Sequence, residues 1–252
     1  MQTITLPQIE IDNSILLSLK NSADELAYKM KLYTAIVLYQ KRQLSLGKSA
    51  QLLGMDRLSF IEVLKDEGIA IFDYNDQEMR EVVYGAEELS RNIEVIVVSN
   101  TTPIITLACV NQIDILKHFF DKVYIPQAVY DEIKSKRAYG HREIDDDFFE
   151  VKSIKDEFAQ NILLNDLDLG EAQTIVLAKE MDADIVLIDE TIGYNLAKSQ
   201  QLNVQRTLSF LIASKKKGYI DEVKPLLDEM IDKGRWISGK VYRDVLGFCG
   251  EI

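Results

Sequence analysis

Residues 94–108 read EVIVVSNTTPIITLA, and the fold turns on this stretch. A run of β-branched residues that stops at a short polar cluster before a proline predicts a buried strand followed directly by a helix. The pattern recurs: KVYI at 122–125 precedes a helix opened by Pro126, and DIVLI at 184–188 precedes one placed from Ile192. Strands alternating with helices predict a parallel sheet, an α/β domain. Such folds place their chemistry at the carboxyl ends of the strands, so Asn100 stands at the edge where a ligand would be met.

Upstream the texture differs. Helical spacing dominates residues 14–65, with Leu16, Leu19, Leu26, Met30, Tyr33, Val37 and Leu38 recurring at helical intervals, and only ITL near the start suggests a strand. The expected organisation is a small all-α domain over residues 1–66, a linker or inhibitory segment over 67–92 and an α/β domain over 93–252. Between the two, GIAIFDYNDQEMREVVYGAEELSRN reads as an extended piece followed by an acidic helix. It either links the domains or lies across the second as a clamp.

Within the first block, LSLGKSAQLLGMDRLSFIEVLKDEGI has the outline of a helix-turn-helix. One helix over 45–53 turns Ala50 and Leu53 inward, Gly54 supplies the turn, and a second from Arg57 turns Phe60, Ile61 and Leu64 inward. A plain helical hairpin has the same outline. On the first reading Lys48, Arg57 and Ser59 face DNA, with Arg57 and Ser59 opening the recognition helix. The net charge of −12 argues against a general nucleic-acid coat, yet residues 41–65 hold five basic side chains against two acidic ones, a local +3.

The second block carries acids at the positions that this sheet would gather. Glu132 lies in IPQAVYDEIK, Glu171 in the first turn of the helix GEAQTIVLAKE, and Asp189 at the end of DIVLI with Glu190 beside it. Singly each has an ordinary explanation: a carboxylate at a helix N-terminus is favoured by the dipole, and Asp189 could cap the next helix. Together with Asn100 they place four segments at one edge. Oxygen-only clusters suit hard cations such as Mg²⁺ or Mn²⁺ and metal-assisted phosphodiester hydrolysis. His118 and His141 are isolated, and Cys109 and Cys249 lack metal-ligand spacing. No apolar run is long enough to cross a bilayer and MQTITLPQIEID lacks a signal-peptide pattern, so a soluble, cytoplasmic location is expected.

Residues 1 to about 90 resemble the small antitoxins of an uncharacterised bacterial family encoded beside PIN-domain toxins, on TITLPQIEID, LYQKRQLSLGKSAQLLGMDRLSFIEVL and GIAIFDY. Residues 94–252 resemble the PIN-domain family, in a branch similar to VapC-type toxins. The matching stretches are VVSNTTPIITLA, NQIDILKHFFDKVYIPQAVYDEI, LGEAQTIVLAKEMDADIVLIDE and TLSFLIASKKKGYIDEVKPLLDEMIDKGRWIS.

The resemblance implies a three-layer PIN-like fold, preceded by the helical domain, and a toxin and antitoxin joined in one chain. It implies an Mg²⁺- or Mn²⁺-dependent endoribonuclease held in check by a DNA-binding antitoxin, with RNA as substrate, operator DNA as partner and copies assembled as a homo-oligomer. Glu132, Glu171 and Asp189 carry over as metal-binding acids, with Glu190 a fourth, and Asn100 replaces the first, an aspartate. Thr101, Thr102 and Lys215 are then expected to contact water or phosphate. Arg80 or Arg91, chosen on charge, would reach the acidic cleft as the inhibitory residue. Two other readings stay open: a PIN domain that lost catalysis through Asn100 and serves an autoregulator or dimerisation module, and a DNA nuclease.

Overall fold

The computed structural model describes residues 9–89, 95–135 and 139–252. The chain opens with four helices, α1 (Asn13–Leu19), α2 (Ala23–Gln40), α3 (Leu46–Leu53) and α4 (Arg57–Asp66). Their ends follow from local chemistry. Ser22 and Glu25 form a capping box on α2, Ser45 accepts from Lys48 N on α3, and Asp56 accepts from Ser59 N on α4. Gly54 ends α3 with φ of 71°, the left-handed region open to glycine. The inward set of the expected helix-turn-helix is buried at Ala50, Phe60, Ile61 and Leu64, which pack with Ala35, Ile36 and Leu46. The α2 stripe faces outward instead: Met30, Tyr33 and Val37 are exposed. The ITL segment lies outside the described residues.

Asn75 and Glu78 cap α5 (Asp76–Glu88), which is followed by the α/β block. Its elements run β1 (Val97–Ser99), α6 (Thr101–Cys109), β2 (Val123–Pro126), α7 (Gln127–Ser135), β3 (Phe149–Lys152), α8 (Glu157–Leu163), α9 (Leu169–Glu180), β4 (Ile185–Leu187), α10 (Thr191–Ser199), β5 (Val204–Gln205), α11 (Thr207–Lys217), α12 (Lys224–Asp232) and α13 (Gly239–Cys249). All strand pairs are parallel, in the order β3-β2-β1-β4-β5. Helices cover both faces. One apolar core joins residues of α6, α11 and α13 to the sheet, and a second joins α9 and α10 to the other side.

The segment between the blocks is built into the first of these cores through Phe72, Tyr74, Met79, Val82, Ala86 and Leu89. The amides of Ile71 and Phe72 donate to Trp236 O at 3.0 and 3.1 Å, and Ser238 N donates to Phe72 O at 2.9 Å. Leu58 and Ile71 pack against both the N-terminal core and the sheet core, so the two blocks meet over a shared apolar seam. Charge reinforces it. Arg42 grips both Glu78 oxygens at 3.0 Å, while Arg206, almost wholly buried, is sandwiched between Tyr74 and Tyr194 at 4.2 and 3.9 Å.

Candidate active site

The strand order makes β1 and β4 the pair from which the chain leaves in opposite directions, and a crevice at their carboxyl ends is where this topology opens a site. Asn100 follows β1 and is fully buried. Its amide nitrogen on the main chain donates to Leu187 O at 3.0 Å, and its side-chain Oδ1 caps α6 by accepting from Thr101 N at 2.7 Å. Its Nδ2 is buried without a hydrogen-bond partner.

Around it stand the carboxylates. Glu132, on α7, accepts from Thr101 Oγ1 at 2.6 Å. Glu171, in the first turn of α9, is fully buried and shares a capping box with Asp168: Glu171 N donates to Asp168 Oδ1 at 2.8 Å, and Asp168 N to Glu171 Oε2 at 3.4 Å. Asp168 is the acid the sequence reading passed over, although Asp-x-x-Glu ahead of an apolar run is a readable signature. A side chain begun at Gly170 would meet Glu132 Oε2 at 3.3 Å, Asn100 Oδ1 at 3.6 Å and Asp168 Oδ1 at 3.6 Å. Three oxygens from separate segments thus point at one small volume.

Asp189 is held differently. Its carboxylate accepts from Thr207 N at 2.7 Å and Thr207 Oγ1 at 2.6 Å, and its carbonyl accepts from Arg206 Nη1 at 2.6 Å. Glu190 caps α10 by accepting from Gly193 N at 2.9 Å. Expected as a metal ligand, it is engaged by its own helix here.

A guanidinium from the other block occupies the centre of this arrangement. Arg57 Nη1 donates to Asp168 Oδ2 at 2.8 Å, its Nη2 donates to Thr102 Oγ1 at 2.9 Å, and the same nitrogen lies 3.4 Å from Glu171 Oε1. The Arg57 side chain is 4% exposed, Asp168 21% and Glu171 0%. Burial pushes the carboxyls of Glu171, Glu132, Asp189 and Glu190 above the usual range, most strongly Glu171, and the Arg57 charge pulls each of them back. Burial alone would lower the Arg57 value. The carboxylates of Asp168, Glu171, Glu132 and Glu190 outweigh it and hold the guanidinium firmly charged.

In this structure Arg57, expected on an exposed DNA face, is buried against the acids, because the N-terminus of α4 points into the crevice. Three of the five basic residues in the 41–65 patch are already engaged within the chain: Arg57 pairs with Asp168 and Lys65 Nζ donates to Asp232 O at 3.4 Å, both in the second block, while Arg42 pairs with Glu78 in the segment between the blocks. Lys48 is half-buried on α3 with Nζ donating to Gln51, and Ser59 Oγ donates to Asp56 Oδ2. Thr101 and Thr102 do line the crevice, engaged by Glu132 and Arg57. Lys215 is not brought there. It sits at the far end of α11 from Thr207, about 12 Å away at a helical rise of about 1.5 Å per residue, paired with Glu251 at 3.5 Å. Arg80 faces outward on α5 beside Asp76, Lys240 and Arg243, and Arg91 lies outside the described residues.

Among the described residues, no three His, Cys, Asp or Glu side chains form a ready metal cage. The reason is geometric: the carboxylates are turned onto Arg57, Thr101, Thr207 and helix amides. The donor chemistry nevertheless suits a hard cation. Three carboxylate-bearing segments and an amide oxygen converge, Glu171 Oε1 has no hydrogen-bond partner, and the charge now balancing them is a guanidinium.

A parallel sheet with acids gathered at its switch point, and a helical block docked over them, defines the class of protein. Residues 96–251 match the family described as PIN domain, and the chain belongs to that family. Residues 5–88 match the Uncharacterised protein family (UPF0175). A UPF0175 protein from Aeropyrum pernix is 32% identical over 66 residues, covering 26% of this chain and 73% of the relative. No solved structure matches. The two parts make a toxin–antitoxin-like fusion, and among the described residues no helix is long and apolar enough to cross a membrane.

Proposed function

We propose that the C-terminal domain is an Mg²⁺- or Mn²⁺-dependent endoribonuclease and that the N-terminal block, a binder of operator DNA, restrains it by placing Arg57 among the site carboxylates. The observation that carries this reading is the buried contact of Arg57 with Asp168, Glu171 and Thr102. Glu132, Glu171 and Asp168 would hold the cation, with Asn100 Oδ1 beside them and Asp189 and Glu190 contributing charge from β4. When bound, the ion supplies Lewis acidity toward the phosphodiester and its attacking water. Thr101 fixes the Glu132 carboxylate, and Thr207 fixes that of Asp189. The guanidinium and a divalent ion compete for the same oxygens. The restrained state is therefore the one in which Arg57 stays.

The test is cleavage of single-stranded RNA by the full chain and by Arg57→Ala, each with Mn²⁺ and with chelator. Cleavage that appears on removing Arg57, needs Mn²⁺ and vanishes in Arg57→Ala/Glu171→Gln supports the reading. Cleavage that survives Glu171→Gln overturns the site. A second reading has its own support: Asn100 Oδ1 is already committed to the α6 cap, which favours a domain that regulates without cutting. Silence from Arg57→Ala, with none gained on adding Asn100→Asp, would select it. Matched DNA and RNA oligonucleotides in the same assay separate an RNase from a DNase.

A further inference from the structure

The face of the N-terminal block expected to meet DNA is the face that covers the acids. Arg57 opens α4, and Gly47 lies in the first turn of α3; both meet Asp168. The approach at Gly47 is so close that a Cβ there would lie 2.3 Å from Asp168 Oδ2 and 2.4 Å from Asp168 Cβ, so only glycine allows the two segments to touch. Along the same seam a cavity of about 590 Å³ is lined by Gln51, Gly54 and Met55 of the N-terminal block and by Glu132 and Asp168 of the second.

Asp168 Oδ2 therefore occupies, at 2.8 Å from Arg57 Nη1 and against the positive end of α3, the place a phosphate oxygen takes on such a motif. Arg57 Nε is buried and without a hydrogen-bond partner, so the guanidinium retains a donor that the carboxylate does not use.

We infer that duplex DNA and the acid crevice compete for the same surface of α3 and α4, with Asp168 standing in for a backbone phosphate, so that the docked chain is closed to DNA and DNA binding withdraws Arg57 from the acids. This rests on the proposed DNA-binding role of the N-terminal block, and the experiment separates the two. By linkage each ligand state reports on the other: whatever undocks the block must tighten DNA binding, and DNA must undock the block.

The sole tryptophan, Trp236, serves as the reporter, because its carbonyl and ring lie at the seam beside Ile71, Phe72 and Gly68. Affinity is measured by anisotropy of a labelled duplex covering the DNA immediately upstream of the chain's own reading frame, with mixed-sequence duplex and matched single-stranded RNA as comparisons. The full chain is compared with Gly47→Ala, which undocks by collision while favouring α3 itself, and with Asp168→Ala, which removes the competing carboxylate. Far-UV circular dichroism confirms that both stay folded.

Both variants should shift Trp236 emission and bind the duplex at least about tenfold more tightly, the factor withheld by a chain that is about 90% docked. Duplex added to the unaltered chain should shift the emission in the same direction. Gly47→Ala/Arg57→Ala should lose that gain and lower the salt slope of binding by about 0.9, as loss of one phosphate contact requires. Equal affinity in all three chains, with emission showing the variants undocked, overturns the competition and leaves DNA binding intact. Unchanged emission in both variants overturns it as well, because Asp168 is then not what α3 rests on. Absence of duplex binding from every chain, or preference for the RNA, overturns the DNA-binding role and the competition with it.

Discussion

Replacing Arg57 with alanine removes the cation that faces Asp168 at 2.8 Å and Glu171 at 3.4 Å, in a crevice where Glu171 is 0% exposed. Truncating one member of a buried ion pair costs about 3–5 kcal/mol, because the partner keeps its desolvation penalty. The loss depends on pH, and its sign follows from the carboxyls. Burial raises the folded-state values of Glu171 and Glu132. Groups raised in this way contribute stability below the ordinary carboxylate range and lose it as pH climbs through the folded value. Arg57 counters that loss by pulling both values down. Without it they rise further, and the penalty grows toward neutral and alkaline pH. For a chain of this size each kcal/mol moves Tm by about 2–4 °C. Arg57→Ala should therefore lower Tm by about 10 °C near pH 8 and by less than about half of that near pH 5, where the carboxyls take up protons. Thermal melts followed by Trp236 emission at the seam and by far-UV circular dichroism provide the measurement. An equal loss at both pH values, or a loss under about 2 °C near pH 8, would refute the assignment of Arg57 as the counter-charge of this crevice.

Further expectations concern single contacts. Mn²⁺ should raise the Tm of Arg57→Ala but leave the unaltered chain nearly unmoved, since binding at about 100 times Kd adds about 2.7 kcal/mol only where the oxygens are free; equal shifts in a melt series would contradict competition. Thr207→Val removes the 2.6 Å hydroxyl bond to buried Asp189 and should cost about 1–3 kcal/mol in urea unfolding. We predict that the outward stripe of α2, with Met30, Tyr33 and Val37 exposed, meets a second copy, so that Tyr33→Glu/Val37→Asp reduces the mass seen by light scattering; the mass of a single chain before substitution would contradict it.

What the sequence revealed and what it hid divide along physical lines. Strands β1, β2 and β4 announce themselves because their β-branched runs are buried. The edge strand β3 is half-exposed beyond Phe149 and β5 is only two residues long, so neither carries a period to read. Glu132 and Glu171 were legible as acids on helices that a parallel sheet brings to one edge. Asp168 was not singled out, since the first turn of α9 was read for its glutamate and not for the residue capping it.

The contact of Arg57 with the acids is hidden for a deeper reason. Its helix, its cap and the inward positions of α4 are all local properties, and the sequence conveys them correctly. Its partner Asp168 is 111 residues away, and no periodicity encodes which surface a helix N-terminus will face. The same ambiguity explains the basic patch over 41–65. A cluster of lysine and arginine suits an anionic partner of either kind, phosphate or carboxylate, and this chain carries its own carboxylates at the edge of its sheet. Asn100 takes on a different weight in that light. Among Glu132, Asp168, Glu171, Asp189 and Glu190, an aspartate at position 100 would add a further buried negative charge around one guanidinium. An amide supplies the same oxygen to the α6 cap without that charge. An amide at position 100 therefore favours the docked state, in which Arg57 balances the crevice, over any state that must gather a divalent cation to do so.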